Sequence, residues 1–475
     1  MEQAARVLEP GKDKRETEKK SVQAYTDKFL DQLETAPAFI QSGFEDAMLN
    51  NTDFSAPTAM QDIMQLLEEH MENPGINTAH GGHLGYIPGG GLYTAALGDY
   101  LADVTNKYAG VFYASPGAVR IENALIEWTG KLIGYAKGFG GNITSGGSIA
   151  NLIAITTARD AKKIKARDFE RTVIYTTAQA HHCVDKAVII AGLRECMMKD
   201  VAMDAQFRMD VHALEQQVIA DREAGLLPFM VIANAGSTDV GAIDPLKQIS
   251  DIAQAHNLWM HVDAAYGGYF MLLDECREKF DGIALADSVV LDPHKGMFLP
   301  YGTGIVLVKQ VHHLQNAFAY EANYMQDTVS TGEVISPADV SPELSKHFRG
   351  MRMWLPLKLY GEQPFKDCLR EKILLTQYFT EQIQQLGFEI VCRPELSVVA
   401  YRYIPHHGNA NDFNKRLVEM MHEDGRIFIS STQLGDMYVL RFACLSFRTH
   451  LSHVDILLDM LKKHIEALMQ SWQEN

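Results

Sequence analysis

A lysine follows closely on an apolar run near residue 290, where the chain reads "SVVLDPHKGMFLPYGTG" over 288–304. Val289, Val290 and Leu291 read as a buried strand, and Lys295 stands just beyond its end. Lysine is rarely buried unless it is paired or does chemistry. Burial disfavours its charged form, and a neutral amine is a nucleophile that can form a Schiff base with an aldehyde. For Lys295 alone, a lysine snorkelling to solvent past a strand end is the plainer reading.

Lys295 is not alone. In "LWMHVDAAYGG" (258–268) Asp263 ends a second apolar run, and the small Ala264, Ala265, Gly267 and Gly268 leave room for a flat ring. An Asp capping the next helix would look the same. "TSGGSIAN" (144–151) is a Gly-rich turn before a helical stretch, where free N–H groups and the helix dipole favour an anion. Ser145 and Ser148 add hydroxyl donors, and the stretch is not the G-x-x-x-x-G-K-[ST] loop of nucleotide triphosphatases. "AHHCVDKA" (180–187) places His181 and His182 just after a strand, where imidazole can stack on a ring or carry protons. The segment 81–117 interleaves glycines with Tyr86, Tyr93, Tyr100, Tyr108, Phe112 and Tyr113, a pattern suited to lining a pocket.

The elements that would hold these residues are short. "TVIYTT" (172–177), "FMVIAN" (229–234), "LWMHVD" (258–263), "DSVVLD" (287–292) and "GIVLVK" (304–309) are β-branched runs between helical stretches. That alternation predicts an α/β fold with a mostly parallel sheet covered on both faces. Ligands of such sheets bind off the carboxyl ends of the strands, where His181, Thr238, Asp263 and Lys295 fall. Beyond about residue 350, helices near 363–386 and 411–424, four strand-like runs and a last helix opened by a Ser452–Asp455 capping box predict a smaller α+β domain. The expected division is 1–95 (tail, N-terminal helical segment and dimer packing), 96–350 (large α/β domain) and 351–475 (small domain). Upstream, Met60, Ile63, Met64 and Leu67 share one face of an expected helix over 57–71.

Bulk properties exclude more than they identify. The 475 residues are 47% hydrophobic with a formal net charge of −17, which argues against a nucleic-acid or anionic-membrane surface. Six cysteines lie far apart with no CxxC pair, so neither a disulfide framework nor a zinc site is indicated and no metal is expected. The polar start is no signal peptide and no run is long enough to span a membrane, so a cytoplasmic protein is expected.

A lysine, a carboxylate, a phosphate-type turn and a histidine at the strand ends of one sheet together fit a phosphorylated aromatic aldehyde, pyridoxal 5'-phosphate. The chain resembles the group II pyridoxal-phosphate-dependent amino-acid decarboxylases of the aspartate-aminotransferase-like fold (fold type I). The resemblance rests on "TSGGSIANL", "AHHCVDKA", "GSTDVGAIDPL", "HVDAAYGG", "DPHK" and "FRGMRMW". It implies that Lys295 is the Schiff-base lysine, that Asp263 pairs with the pyridine nitrogen, and that Ala265 and His181 lie on the two faces of the ring. Gly147, Ser148, Asp292 and His294 would hold the phosphate, and Thr238 would join the cofactor's hydrogen bonds. Tyr86, Ile87 and Pro88 would line the substrate pocket, with Tyr108 and Phe112 reaching it from the second subunit of a homodimer. The implied activity is decarboxylation of an L-amino acid, with an aromatic or bulky side chain favoured. Arg120 or Arg349 pointing at the substrate side chain would count against that preference.

The chain departs from the family at one point. The loop expected at 327–345 has none of the tyrosine with which the family protonates the substrate's α-carbon, and Pro337 falls near its place. Tyr320 and Tyr324 precede the loop, and His182 or water is a substitute donor. An α-carbon left unprotonated can react with oxygen, so the second reading is an oxidative deaminase releasing an aldehyde. A carbon–carbon lyase of the same fold and a non-catalytic cofactor-binding homologue are the remaining alternatives.

Overall fold

The computed structural model describes residues 1–41, 48–50, 53–72, 74–319 and 334–472. Besides a short antiparallel pairing of Phe39–Ile40 with Gly75–Ile76, its strands, in chain order, are β1 (His83–Leu84), β2 (Gly140–Thr144), β3 (Thr172–Thr176), β4 (Met197–Asp200), β5 (Leu227–Asn234), β6 (Trp259–Asp263), β7 (Ser288–Leu291), β8 (Gly304–Val308), β9 (Phe388–Ile390), β10 (Val398–Tyr403), β11 (Phe428–Leu434) and β12 (Met437–Ala443). Seven form the central sheet in the order β2-β8-β7-β6-β5-β3-β4. β7, β6, β5, β3 and β4 run parallel, whereas β8 is antiparallel to both β7 and β2.

Alternation along the strands explains the layers. Met230 and Ile232 of β5 join Ile153, Ala154 and Val184 on one face, and Val231 and Ala233 join Leu214, Val218 and Ile249 on the other. A strand buried on both sides needs apolar residues at every position, so the inner strands read as continuous runs. β2 ("GGNIT") and β4 ("MMKD") carry no such run and escape the sequence expectation. β4 is a partly exposed edge. β2 uses glycine for close approach, since a Cβ at Gly141 would lie 2.3 Å from the Val306 carbonyl oxygen.

The smaller sheet has the order β9-β10-β12-β11-β1. Its C-terminal strands are antiparallel, but β1, from the N-terminal segment, adds parallel to β11 with His83 opposite Phe428 and Leu84 opposite Ile429. Helices Gln363–Gln385, Ala410–Asp424 and Leu451–Trp472 pack on this sheet, with Phe379 and Phe442 stacked at 4.1 Å. Gly425, at φ 70°, ends the middle helix in the left-handed region that glycine tolerates best. The last helix begins at Leu451, so Ser452 already lies inside it and is not the cap. The His453 ring accepts the His450 N–H at 3.2 Å, the reciprocal half of a capping box supplied by an imidazole. Upstream, the helix expected over 57–71 is α-helical over Met60–Leu67 and continues as a π-helical turn over Glu68–Glu72.

One buried ion pair fixes the chain just after residue 345. Lys346 Nζ lies 2.6 Å from Glu122 Oε2 and 2.7 Å from Asn142 Oδ1, with neither charged side chain more than 2% exposed. The Gly350 N–H donates to the other Glu122 oxygen at 3.1 Å. Burial pulls the Lys346 ammonium below its ordinary range against the opposing pull of Glu122. Removing one partner strands the other charge, so Glu122→Ala is expected to cost about 3–5 kcal/mol in chemical denaturation. A loss below about 1 kcal/mol, the worth of an exposed pair, would contradict this account.

Candidate active site

The carboxyl ends of β3, β5, β6 and β7, with the turn after β2, open onto one cavity of ≈ 420 Å³. That volume lies in the range of small-molecule sites, about 300–1,000 Å³. The parallel register aligns the strand ends, setting Asp263 opposite Asn234 of β5 and Val290 of β7. Ten residues singled out in the sequence line the cavity: Ser145, Gly147, Ser148, His181, Thr238, Asp263, Ala265, Asp292, His294 and Lys295.

Lys295 sits in a short helix, Pro293–Gly296, immediately after β7. Its Nζ is 3.2 Å from Asp292 Oδ2, and about a fifth of the side chain is exposed (21%), against 3% for Asp292. Burial acts to lower the lysine pKa, as the sequence suggests, but Asp292 and then Asp263 together outweigh it, and the net direction is upward. The expectation of a depressed amine is therefore corrected: Asp292, three residues before it, and Asp263, from another strand, converge on it. His294 Nδ1 lies 2.6 Å from the Thr303 carbonyl oxygen, to which it donates, and Nε2 lies 3.7 Å from Asp292 Oδ2.

Asp263 accepts the Ala265 N–H at 3.0 Å and the Asn151 amide at 3.1 Å. His181 Nδ1 accepts the Cys183 N–H at 3.2 Å, so the neutral ring carries its proton on Nε2. Burial, then the neighbouring His182 and Lys295, lowers the His181 pKa against the pull of Asp263 and Asp292. Burial holds Cys183 as a thiol, its pKa pushed up to about 12. The turn after β2 reaches the helix Gly147–Ala161 through Gly146, whose φ of 147° is rarely adopted by other residues.

Six sequence candidates lie elsewhere. His182 is exposed, its ring 4.1 Å from that of His181, and it does not line the cavity. Ile87 and Pro88 are buried beyond the cavity lining, and Tyr86 is 57% exposed with a positive φ of 54°. Tyr108 is exposed, and Phe112 lies under the Arg120 guanidinium at 5.1 Å. Arg120 therefore faces Phe112, Arg349 is bound twice to Glu343 at 3.0 Å, and no arginine lines the cavity among the described residues. Tyr320 and Tyr324 fall outside the described residues. Pro337 is buried, its carbonyl accepting from Asn142 at 3.0 Å.

Sequence reasoning missed Tyr301, Asn234 and the role of Asn151, which all line the cavity. Asn151 stands four residues after Gly147, one helical turn, so it shares the face of the anion-binding turn. Arg441, 3% exposed, was missed as a brace: it donates to the carbonyls of Thr238, Asp239 and Tyr86 and to Ser430 Oγ. Only a buried guanidinium has enough donors in one plane to tie three such segments together.

The donor set suits pyridoxal phosphate. It offers a helix N-terminus with Ser145 and Ser148 for an anion, a carboxylate for a ring nitrogen, and small Ala265 against a flat face. Lys295 is the one lysine on the cavity wall among the described residues. Comparison with known proteins agrees. Residues 46–404 match the pyridoxal-dependent decarboxylase conserved domain. The chain is 33% identical to the aromatic-L-amino-acid decarboxylase of Bacillus atrophaeus over 399 residues, 82% of each chain. It is 28% identical to the phenylacetaldehyde synthase of Arabidopsis thaliana over 440 residues, 87% of this chain and 88% of the relative. Among solved structures, tryptophan decarboxylase of Catharanthus roseus superposes with a TM-score of 0.90 at 24% identity, covering 97% of this chain and 99% of that one. The lysine-bearing cavity thus sits in a fold type I scaffold, and the chain belongs to the pyridoxal-dependent decarboxylases, carboxy-lyases that work with pyridoxal phosphate.

Proposed function

We propose that the protein decarboxylates an L-amino acid with an aromatic or otherwise bulky side chain. The observation that carries the reading is the convergence of Lys295, Asp263 and His181 on one cavity beside a helix N-terminus. The absence of a cavity-lining arginine among the described residues supports a side chain without a carboxylate, and the names of the relatives lean the same way.

When bound, pyridoxal phosphate supplies an aldehyde for the substrate amine and a protonated ring that withdraws the electrons left as carbon dioxide departs. The chain's own groups have separate tasks. Lys295 loses its ammonium proton to become the nucleophile, with Asp292 beside it to hold the charge until then. Asp263 would hold a proton on the ring nitrogen. His181, fixed by the Cys183 N–H, presents a flat imidazole for stacking. Ser145, Ser148 and the helix N-terminus would hold the phosphate, while His294, tied to Thr303, would orient it. Asp292 is an acceptor, so its service is to Lys295 and not to an anion. Tyr93, Leu97, Tyr100, Leu101, Val104 and Tyr108 are exposed, five of them on the helix Tyr93–Thr105 and Tyr108 just beyond it. A second copy covering that face would bring Tyr108 and Phe112 to the neighbouring cavity, as in the homodimers the family resemblance implies.

The second reading, an aldehyde-forming enzyme, is favoured by residues 334–345, which carry no tyrosine and hold Pro337 inward. The phenylacetaldehyde synthase relative leans the same way. Product analysis by mass spectrometry decides. The holoenzyme is incubated in air with each common L-amino acid. The expected result is amine and carbon dioxide from an aromatic substrate. Aldehyde, ammonia and peroxide with oxygen consumed would establish the second reading, and turnover of glutamate or aspartate in preference would overturn the substrate class.

A further inference from the structure

Asp263 is the last member of an unbroken run of hydrogen bonds that begins at an indole. Trp259 Nε1–H donates to Ser288 Oγ at 2.9 Å, and that hydroxyl lies 2.8 Å from His261 Nδ1. His261 Nε2 lies 2.7 Å from Asn151 Oδ1, and Asn151 Nδ2 donates to Asp263 Oδ2 at 3.1 Å. The fold sets this up simply. Trp259, His261 and Asp263 alternate along one face of β6, and Ser288 of β7 is the register partner of His261. Trp259, Ser288, His261 and Asn151 are no more than 2% exposed.

Chemistry fixes the direction of every link. An indole N–H can only donate and a carboxylate can only accept. Asn151 must therefore turn its amide nitrogen to Asp263 and its carbonyl to His261. His261 must then carry its proton on Nε2 and accept the Ser288 hydroxyl at Nδ1. Burial, opposed by Asp263, keeps the ring neutral by lowering its pKa. The second Asn151 N–H is also used, on the Gly147 carbonyl at 3.0 Å. A flipped amide would set its oxygen against two acceptors, Gly147 O and Asp263. The Nε2–H of His261 secures the unflipped orientation.

We propose that His261 and Asn151 are positioning residues that hold the Asp263 carboxylate in the orientation needed to keep the cofactor's ring nitrogen protonated. This goes beyond the proposed reaction and rests on one part of it, that Asp263 faces the ring nitrogen of pyridoxal phosphate. The substrate plays no part, so the two can fail separately.

The test loads the full chain with pyridoxal phosphate carrying 15N in the ring and follows that nitrogen's NMR shift against pH, with no substrate present. The parent is expected to stay protonated through neutral pH. His261→Leu and Asn151→Ala are expected to lower the midpoint by about one pH unit or more. His261→Gln, which keeps an N–H donor, is expected to recover most of the loss. Ser288→Ala, which frees the tautomer, is expected to give a smaller drop in the same direction. Midpoints equal to the parent's in folded His261→Leu and Asn151→Ala overturn the proposal, as does a His261→Gln midpoint no better than that of His261→Leu. Should both larger variants fail to fold, Ser288→Ala decides alone, and an unchanged midpoint overturns it. A parent whose nitrogen is unprotonated at neutral pH overturns the role of Asp263 itself.

Discussion

Lys295→Ala is expected to bind pyridoxal phosphate weakly and to form product at less than about a thousandth of the parent rate. Two losses combine. The nucleophile that receives the aldehyde and later frees the product is gone, and removing an activated nucleophile costs more than a single electrostatic contact, itself worth about 10²–10³ in rate. The variant also loses the cation 3.2 Å from Asp292, whose Oδ1 is buried without a hydrogen-bond partner. A carboxylate left in that state is costly, so thermal stability without cofactor is expected to fall as well, and Lys295→Met is expected to behave like Lys295→Ala. Absorbance of the loaded protein separates the effects, because the visible band of a lysine-linked cofactor is lost even where free cofactor still binds. Turnover by Lys295→Ala at the parent rate would remove the catalytic assignment.

Acid is expected to unfold the chain well before its surface carboxylates are all neutralised. His80, His83 and His261 are buried, and desolvation lowers each from 6.5 to about 4 in the folded state. Each folded value is depressed, so between about pH 6.5 and 4 the unfolded chain binds more protons. Stability is therefore full above 6.5 and falls as pH drops through that window, by up to about 3 kcal/mol for each histidine. Asp244 acts in the opposite direction. Burial raises it from 3.8 to about 6, so its protonation favours the folded state as pH falls over much of the same range. One histidine's share is roughly offset, and the remainder is a large part of a typical total stability of about 5–15 kcal/mol. Denaturant unfolding at pH 7, 6, 5 and 4 would measure this. The double variant His80→Gln with His83→Phe is expected to flatten the profile, and an equally steep one would assign the loss to other groups.

The candidate site was legible where it depends on a short stretch. Lys295 and Asp263 each follow a strand whose apolar run announces it, the turn at 144–151 is marked by its own glycines and serines, and a parallel sheet brings the ends of neighbouring strands together. Legibility failed where two residues compete for one direction. His181 and His182 are adjacent and lie in a turn before the helix Cys183–Ile190, where no periodicity says which ring faces inward. It failed again where charges converge from afar. The direction of the Lys295 pKa depends on Asp292 and then on Asp263, and Asp263 lies on another strand at a distance no spacing reveals. The β1 strand was invisible because two residues carry no pattern, and its partner lies more than 340 positions away. The fold class, by contrast, follows from five apolar runs that can only be buried on both faces.

Arg441 has a consequence for the order of synthesis. It comes from β12, near the end of the chain, yet it ties together the carbonyls of Tyr86 and of Thr238, the latter on the cavity wall. β1, which leads directly into Tyr86, waits in the same way for β11. A ribosome that has released only the large sheet has made Lys295 and Asp263 but not the brace that holds the segment in front of them. Such contacts, distant in sequence, close last. Cofactor capture during translation would thus begin only when the final strands have cleared the exit tunnel, and a chain cut short before residue 441 would carry Lys295, Asp263 and His181 and still lack a finished pocket.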